Sequence, residues 1–196
     1  MGFIRDQRPL DPRKAPPLAC TVFLLLLLLW PFESPAAGPD ETRLEFGHAV
    51  ALGDARMARF AVLWDWGGPL ASAGGGWQLR GSWEASLGAW SCSGDRTITE
   101  AGLTPVFRFE REARGPLSYR PFFEAAVGAH LISDVELCGR RFSTAYQFGD
   151  HVGFGAKLGK EGRLSLLYKF QHLSNAGIRN PNSGINFSIV HLRFEF

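Results

Sequence analysis

Apolar and polar residues alternate one by one along most of the chain beyond residue 40. The stretch from Trp77 to Trp90 is the clearest case, because one face is apolar apart from a glycine and the other carries Arg80 and Glu84. A period of two residues is typical of a β-strand, and no sustained period of 3.6 residues indicates helices. The pattern therefore predicts an all-β protein.

Clusters of turn residues divide the alternating stretches. They lie near residues 53–54, 67–76, 93–102, 112–118, 133–141, 159–162 and 177–184. With a weaker first strand near Arg43 to Leu52, they delimit eight strands of roughly 9–11 residues, the length that crosses a membrane when a strand is tilted. We therefore predict an eight-stranded antiparallel transmembrane β-barrel.

The polar face of the predicted strands carries charges of both signs, among them Arg80, Glu84, Arg108 and Glu124. Such charges can pair inside a filled lumen while the apolar face meets lipid. A soluble lipocalin-like protein would turn the same apolar face inward. Aromatic residues near strand ends, a secretory signal and the terminal Phe196, which resembles the signal for outer-membrane assembly, favour the membrane. A net charge of +2 gives no reason to expect nucleic-acid binding.

The first 36 residues predict a cleaved signal peptide. Basic residues precede an apolar run from Leu18 to Trp30, and small residues allow cleavage after Ala36, with Ala37 as the alternative. The run is shorter than the ~20 residues that span a bilayer as a helix, which disfavours a retained anchor. The barrel is then expected over residues 37–196.

Two cysteines remain after the signal, Cys92 and Cys138. With both chain termini on the periplasmic side, they lie in the second and third outer loops, and we predict a disulfide between them; two free thiols are the alternative. Two cysteines cannot form a four-thiolate zinc site, and the histidines other than His172 are scattered along the chain. We expect no metal and no cofactor, and the remaining histidines are expected at the interface or in the lumen.

The chemistry is predicted at the end of strand seven, where His172 and Ser174 continue the apolar, lipid-facing side of the strand. A serine beside a histidine is the minimum for nucleophilic acyl transfer. Asn186, predicted about opposite Ser174, or Asp150, predicted opposite His172, could orient the imidazole. Polar ends of a hairpin without any chemistry are the alternative interpretation.

The residues after Ser174 could stabilise an oxyanion through backbone N–H groups or side-chain amides. The candidates are Asn175, Gly177 and Asn182. These are also ordinary turn residues, and for most of them that role is sufficient.

The segment HLSNAGIRNPNSGIN, which begins at His172, resembles the signature of the lipid A 3-O-deacylase family. The WDW at Trp64 to Trp66 and the GDHVGFGAKLG stretch at Gly149 to Gly159 are also similar. The resemblance implies an outer-membrane barrel that hydrolyses the 3-O-linked hydroxyacyl ester of lipid A (lipopolysaccharide), with outer-membrane lipid around it. It places the nucleophile on Ser174 and the base on His172.

The family's acid, a Glu, falls on Asn186 in this chain. In a serine protease an Asn in place of the triad carboxylate can cost a factor of about 10⁴. Three interpretations follow: Asn186 orients His172 well enough for catalysis, Asp150 supplies the negative charge, or the enzyme has weak activity. The alternative function is a non-catalytic outer-membrane barrel with a structural or interaction role. Membrane-embedded aromatic residues would permit a homodimer without requiring one.

Overall fold

The structure is a computed structural model that describes residues 38–111, 119–159 and 162–195. The predicted signal peptide, residues 1–36, and Phe196 lie outside the described residues. The described part folds into long antiparallel strands. They are β1 (Glu41–Ala49), β2 (Arg56–Asp65), β3 (Trp77–Ser91), β4 (Ile98–Arg111), β5 (Arg120–Ile132), β6 (Tyr146–Leu158), β7 (Leu164–Ser174) and β8 (Ile185–Glu195).

Each strand pairs antiparallel with the next one along the chain, and β8 pairs with β1. The pairing between His48 and Ser188 is one point on the seam that closes the sheet. The predicted eight-stranded antiparallel barrel is confirmed within the described residues. Short additional strands lie in the loops, at Ala71–Ala73, Glu136–Leu137 and Arg140–Arg141.

Strand β4 begins earlier than the sequence predicts, because Ile98–Gly102 belongs to the strand rather than to a loop. The turn signal came from Gly102, which has a packing role instead. A Cβ added there would lie 2.6 Å from His130 Nδ1 and 2.6 Å from Ser86 Oγ. Gly102 therefore makes room for a luminal side chain, so its presence does not mark a turn.

Strand parity places the apolar face outside the barrel. Among the most exposed large side chains are Leu87 at 67% and Val152 at 62% of full exposure. An outward apolar band is typical of a strand surface that meets lipid. The lipocalin-like alternative, with the apolar face inside, is therefore wrong. No helix in the described ranges is long and apolar enough to span a bilayer.

The lumen is filled by a network of buried charges. Arg43 is fully buried and lies 2.6 Å from Glu41, 2.7 Å from Glu84 and 2.8 Å from Glu124. Each guanidinium in such a network needs carboxylate partners, because an unpaired buried charge is costly. The opposite charges that the sequence places on the polar face pair across the lumen, as predicted.

We call the end of the barrel formed by the loops after β1, β3, β5 and β7 the outer end, and the opposite end the inner end. An apolar cluster closes the lumen at the outer end. Its members come from every strand except β6 and from the β1–β2 and β5–β6 loops, and they include Trp90, Ile98, Ile132, Phe142, Leu173 and Phe187. Trp90 Nε1 donates to Glu100 Oε2 at 2.7 Å, which joins this cluster to the charged network below it. The lumen of the described barrel is therefore filled, and large apolar side chains that stay exposed lie on its outer wall.

Candidate active site

His172 and Ser174 lie on the outer wall of the barrel, at the outer end of β7. Leu173 between them is fully buried in the apolar cluster, so the two flanking side chains turn outward. Both are half-buried. The same wall continues below them with the exposed Phe170 and Tyr168. The predicted position of the pair at the rim of an apolar surface is therefore observed.

The register of the neighbouring strands decides what stands beside His172. Asn186 of β8 is its partner on one side and Asp150 of β6 is its partner on the other. The predicted pairing of Asp150 with His172 is confirmed. The predicted pairing of Ser174 with Asn186 is wrong, because the β7–β8 hairpin is centred on Arg179 rather than on Asn180.

The imidazole of His172 is held by Asn186. His172 Nδ1 lies 2.6 Å from Asn186 Oδ1, a short hydrogen bond. Asp150 is exposed, and the described part of the chain contains no hydrogen bond between its carboxylate and His172. Of the two candidates for the orienting group, the structure brings Asn186 into contact.

Ser174 stands two residues from His172 on the same face of the strand. Its Oγ accepts a long hydrogen bond of 3.5 Å from the Ala176 N–H. Among the described residues no hydrogen bond joins Ser174 Oγ to His172. Catalytic hydrogen bonds are often long before the substrate binds and tighten in the reactive complex.

Gly184 supports both side chains from the β7–β8 loop. It is buried and has a φ of +55°, and a Cβ added there would lie 2.9 Å from His172 Cε1 and 3.4 Å from Ser174 Cβ. Its carbonyl accepts a hydrogen bond of 3.0 Å from Arg140 Nη1. The sequence marks Gly184 only as a turn residue, and nothing in it points to Arg140.

Asn175 ties the outer loops together. Its side chain is fully buried, and Nδ2 donates to the carbonyls of Phe142 and Arg179, both at 2.8 Å. Its backbone N–H donates to Asn182 Oδ1 at 3.1 Å. These bonds occupy all N–H groups of Asn175, so its observed role is structural. The Gly177 N–H donates no hydrogen bond within the described residues.

A second connection between the outer loops is the disulfide between Cys92 and Cys138, which is present as expected. Beside it, Asp95 Oδ2 accepts a hydrogen bond of 2.6 Å from the Cys138 N–H. Hydrogen bonds from the backbone N–H groups of Arg96 and Cys138 lower the pKa of the Asp95 carboxyl. The β3–β4 loop thereby holds the β5–β6 loop, which carries Arg140.

The other histidines lie away from this site. His130, His151 and His191 are buried in the lumen, and His48 is exposed at the outer end of β1. The described residues contain no group of three or more His, Cys, Asp or Glu side chains that could hold a metal ion.

Comparison with known proteins identifies a family. The family model for lipid A 3-O-deacylase (PagL) matches residues 56–195. The lipid A deacylase PagL of Bordetella bronchiseptica is 34% identical over 129 residues, which cover 61% of this chain and 67% of that protein. The lipid A deacylase PagL of Pseudomonas aeruginosa is 30% identical over 138 residues, covering 69% and 76%.

A solved structure shares the fold. The crystal structure of the outer membrane enzyme PagL superimposes with a TM-score of 0.69 at 24% identity, covering 80% of this chain and 99% of that chain. Residues 56–195, which the family model matches, include the whole of β2 to β8 and with it His172, Ser174 and Asn186. The chain therefore belongs to the lipid A 3-O-deacylase (PagL) family.

Proposed function

We propose that the protein is an outer-membrane serine esterase that hydrolyses the 3-O-linked hydroxyacyl ester of lipid A, with Ser174 as nucleophile and His172 as base. Lipid A deacylation is the reaction after which the family and both relatives are named. The assignment of residues depends on one observation above all. His172 Nδ1 lies 2.6 Å from Asn186 Oδ1, on the outer wall beside Ser174.

This hydrogen bond selects a tautomer of His172. An amide oxygen can only accept, so Nδ1 carries the hydrogen and Nε2 keeps its lone pair. That tautomer is the one that can take a proton from the Ser174 hydroxyl. Asn186 therefore fixes the imidazole for base catalysis, although it lacks the negative charge that would stabilise the imidazolium.

The reaction then runs in two stages. Ser174 Oγ attacks the ester carbonyl carbon while His172 takes the hydroxyl proton, and collapse of the tetrahedral intermediate breaks the bond to the sugar oxygen. The imidazolium returns its proton to that oxygen, which leaves as the 3-hydroxyl of the sugar. Water then attacks the acyl carbon while His172 takes its proton, and collapse of this second intermediate breaks the bond to Ser174 Oγ. The imidazolium returns the proton to Oγ, and the hydroxy fatty acid leaves.

The oxyanion of each intermediate needs N–H donors. The Gly177 N–H and the Asn182 side-chain amide supply them, since Asn175 is committed to the outer loops. Asn175 contributes by keeping the loop after Ser174 in place. The Asp150 carboxylate is not assigned a direct part.

The location of the site suits a substrate embedded in a membrane. Residues 1–36 act as a cleaved export signal, and the barrel sits in the outer membrane with its outer end at the outer leaflet. The apolar wall below Ser174 and His172 meets acyl chains, while lipid A headgroups lie at the rim. A homodimer through the outward aromatic side chains stays a prediction.

The test is the mass spectrum of lipid A from cells that express the protein. The wild type is expected to remove one hydroxyacyl chain, and Ser174→Ala is expected to remove none. Ser188→Ala is the matched control, because Ser188 lies on the same wall, bonded to Tyr168 rather than to His172. Identical lipid A from wild type and Ser174→Ala would refute the esterase and favour the non-catalytic barrel.

A further inference from the structure

A cavity of about 660 Å³ opens between the two outer loops that Asn175 joins. Its walls come from the β5–β6 loop on one side and from the β7–β8 loop on the other. The lining residues that matter here are Arg141, Ser143, Thr144, Arg179 and Asn180. The cavity belongs to the same outer end as Ser174 and is separate from the catalytic pair.

The charge of this cavity is positive. Arg141 and Arg179 line it, one from each loop, and no acidic residue is among the lining side chains. Within the described residues neither guanidinium forms an ion pair. Glu136 is the cross-strand neighbour of Arg141 in the short hairpin, yet the described residues contain no ion pair between their side chains. Two guanidinium groups without ion pairs that line one cavity from different loops are suited to a shared anion.

A buried hydroxyl that lines the same cavity, that of Ser143, has no hydrogen-bond partner within the described residues. Ser143 is 9% exposed, and its Oγ lacks a hydrogen bond within the described part of the chain. Buried polar groups are nearly always hydrogen-bonded, so an unsatisfied one indicates a missing ligand or a special role. Ser143 also has a φ of +65°, a conformation that non-glycine residues rarely adopt and that is concentrated at functional sites.

The walls of the cavity are held by bonds that leave both arginines available. Arg140 donates to the Gly184 carbonyl and so fixes the hairpin that carries its neighbour, Arg141. Asn175 Nδ2 holds the carbonyls of Phe142 and Arg179. The residue after the Ser174 nucleophile thus connects the cavity walls to the catalytic strand.

From these observations we infer that the cavity is a phosphate-binding subsite, lined by Arg141, Arg179 and Ser143, that takes a phosphate group of the lipid A headgroup. This inference rests on the proposed function, because lipid A is a phosphorylated disaccharide whose sugar bears the scissile ester. Binding the phosphate beside the catalytic loop places the ester against Ser174. Arginine forks match phosphate oxygens with two N–H bonds each, and the Ser143 hydroxyl donates to a third oxygen.

The test measures binding with catalysis removed. The refolded barrel with Ser174→Ala is titrated with phosphatidylcholine vesicles that contain phosphorylated lipid A, and compared with the same protein carrying R141Q and R179Q. The affinity is expected to fall about tenfold or more, since hydrogen bonds to charged groups are the strong ones. Ser143→Ala is expected to lower it by about threefold, the loss of one hydrogen bond.

The matched control removes two positive charges at the inner end, with R111Q and R163Q, and is expected to leave binding unchanged. Vesicles with phosphatase-treated lipid A should bind the Ser174→Ala protein equally well with and without R141Q/R179Q. Inorganic phosphate should compete only weakly with phosphorylated lipid A for the Ser174→Ala protein, since the lipid also gains binding energy from its contact with the membrane. Displacement of the lipid A by micromolar phosphate would indicate a site for free phosphate and would contradict our inference.

The subsite would be refuted if R141Q/R179Q left the affinity for phosphorylated lipid A unchanged. It would also be refuted if these substitutions lowered the affinity for dephosphorylated lipid A by the same factor. These outcomes are independent of the proposed esterase. If wild-type protein fails to deacylate lipid A but R141Q/R179Q weakens binding, the catalytic proposal fails and the subsite stands.

Discussion

His172 Nδ1 lies 2.6 Å from Asn186 Oδ1, in directly paired positions of β7 and β8. The family pattern described above has a Glu at the position of Asn186. A neutral amide can fix the tautomer of the imidazole through its oxygen, but it adds no charge to stabilise the imidazolium formed during the reaction. In the proposed mechanism Asn186 therefore orients the imidazole without stabilising its charge, whereas a carboxylate would do both.

Replacing Asn186 tests these two contributions separately. We expect Asn186→Asp to raise kcat for lipid A by about tenfold or more, because the carboxylate keeps the acceptor and adds charge. Asn186→Leu has a similar volume but no acceptor, and we expect kcat to fall by at least about tenfold. Steady-state deacylation of lipid A in mixed micelles measures both. An unchanged kcat in both variants would remove Asn186 from the mechanism.

Asp150 is expected to contribute little. The change Asp150→Asn removes an exposed charge that makes no hydrogen bond to His172, and the interaction of two exposed charges is on the order of 1 kcal/mol. We therefore expect kcat to change by less than about fivefold in the same assay. A loss of 100-fold or more would instead make Asp150 the missing carboxylate.

Gly184→Ala tests the packing against His172 and Ser174. The new methyl group would lie 2.9 Å from His172 Cε1. Displacing the imidazole by a fraction of an ångström to about 1 Å is expected to lower kcat by about 100-fold. The control is Gly53→Ala in the β1–β2 loop, where φ is +48° and a Cβ would contact nothing within 4 Å.

Both glycine variants carry a backbone penalty from the positive φ. Gly184→Ala adds the close contacts and should therefore lose more thermal stability than Gly53→Ala. The comparison of kcat at a temperature where both are folded isolates the contact with His172. If both variants kept wild-type kcat, Gly184 would be only a turn residue.

Arg43→Met tests the charged lumen. Removal of the guanidinium takes one partner from Glu41 and Glu124 and leaves the buried Glu84 without an ion pair among the described residues. We expect the free energy of unfolding to fall by about 3–5 kcal/mol. Urea unfolding in lipid vesicles measures the change. Arg96→Met removes an exposed arginine paired with Asp134 and should have a much smaller effect. A larger effect at Arg96 would contradict the importance of luminal pairing.

The alternation of residues was sufficient to predict the fold, because a period of two assigns every side chain to one of two faces. It correctly placed Glu84, Arg108 and Glu124 in the lumen and His172 and Ser174 on the outer wall. The alternation was less reliable for the positions at which strands begin and end. Gly102 reads as a turn residue, yet it lies inside β4 under His130.

The register and the loops could not be derived from the sequence with the same certainty. Moving the centre of the β7–β8 hairpin by one residue places Asn186 opposite His172 instead of Ser174. The hydrogen bonds of Asn175, the contact of Arg140 with Gly184 and the cavity of Arg141 and Arg179 join residues from different loops. The sequence by itself determined a barrel with a His-Ser pair on its lipid face. Only the tertiary structure decided which side chains meet that pair, because non-local contacts depend on register and on loop conformation, and a period of two specifies neither.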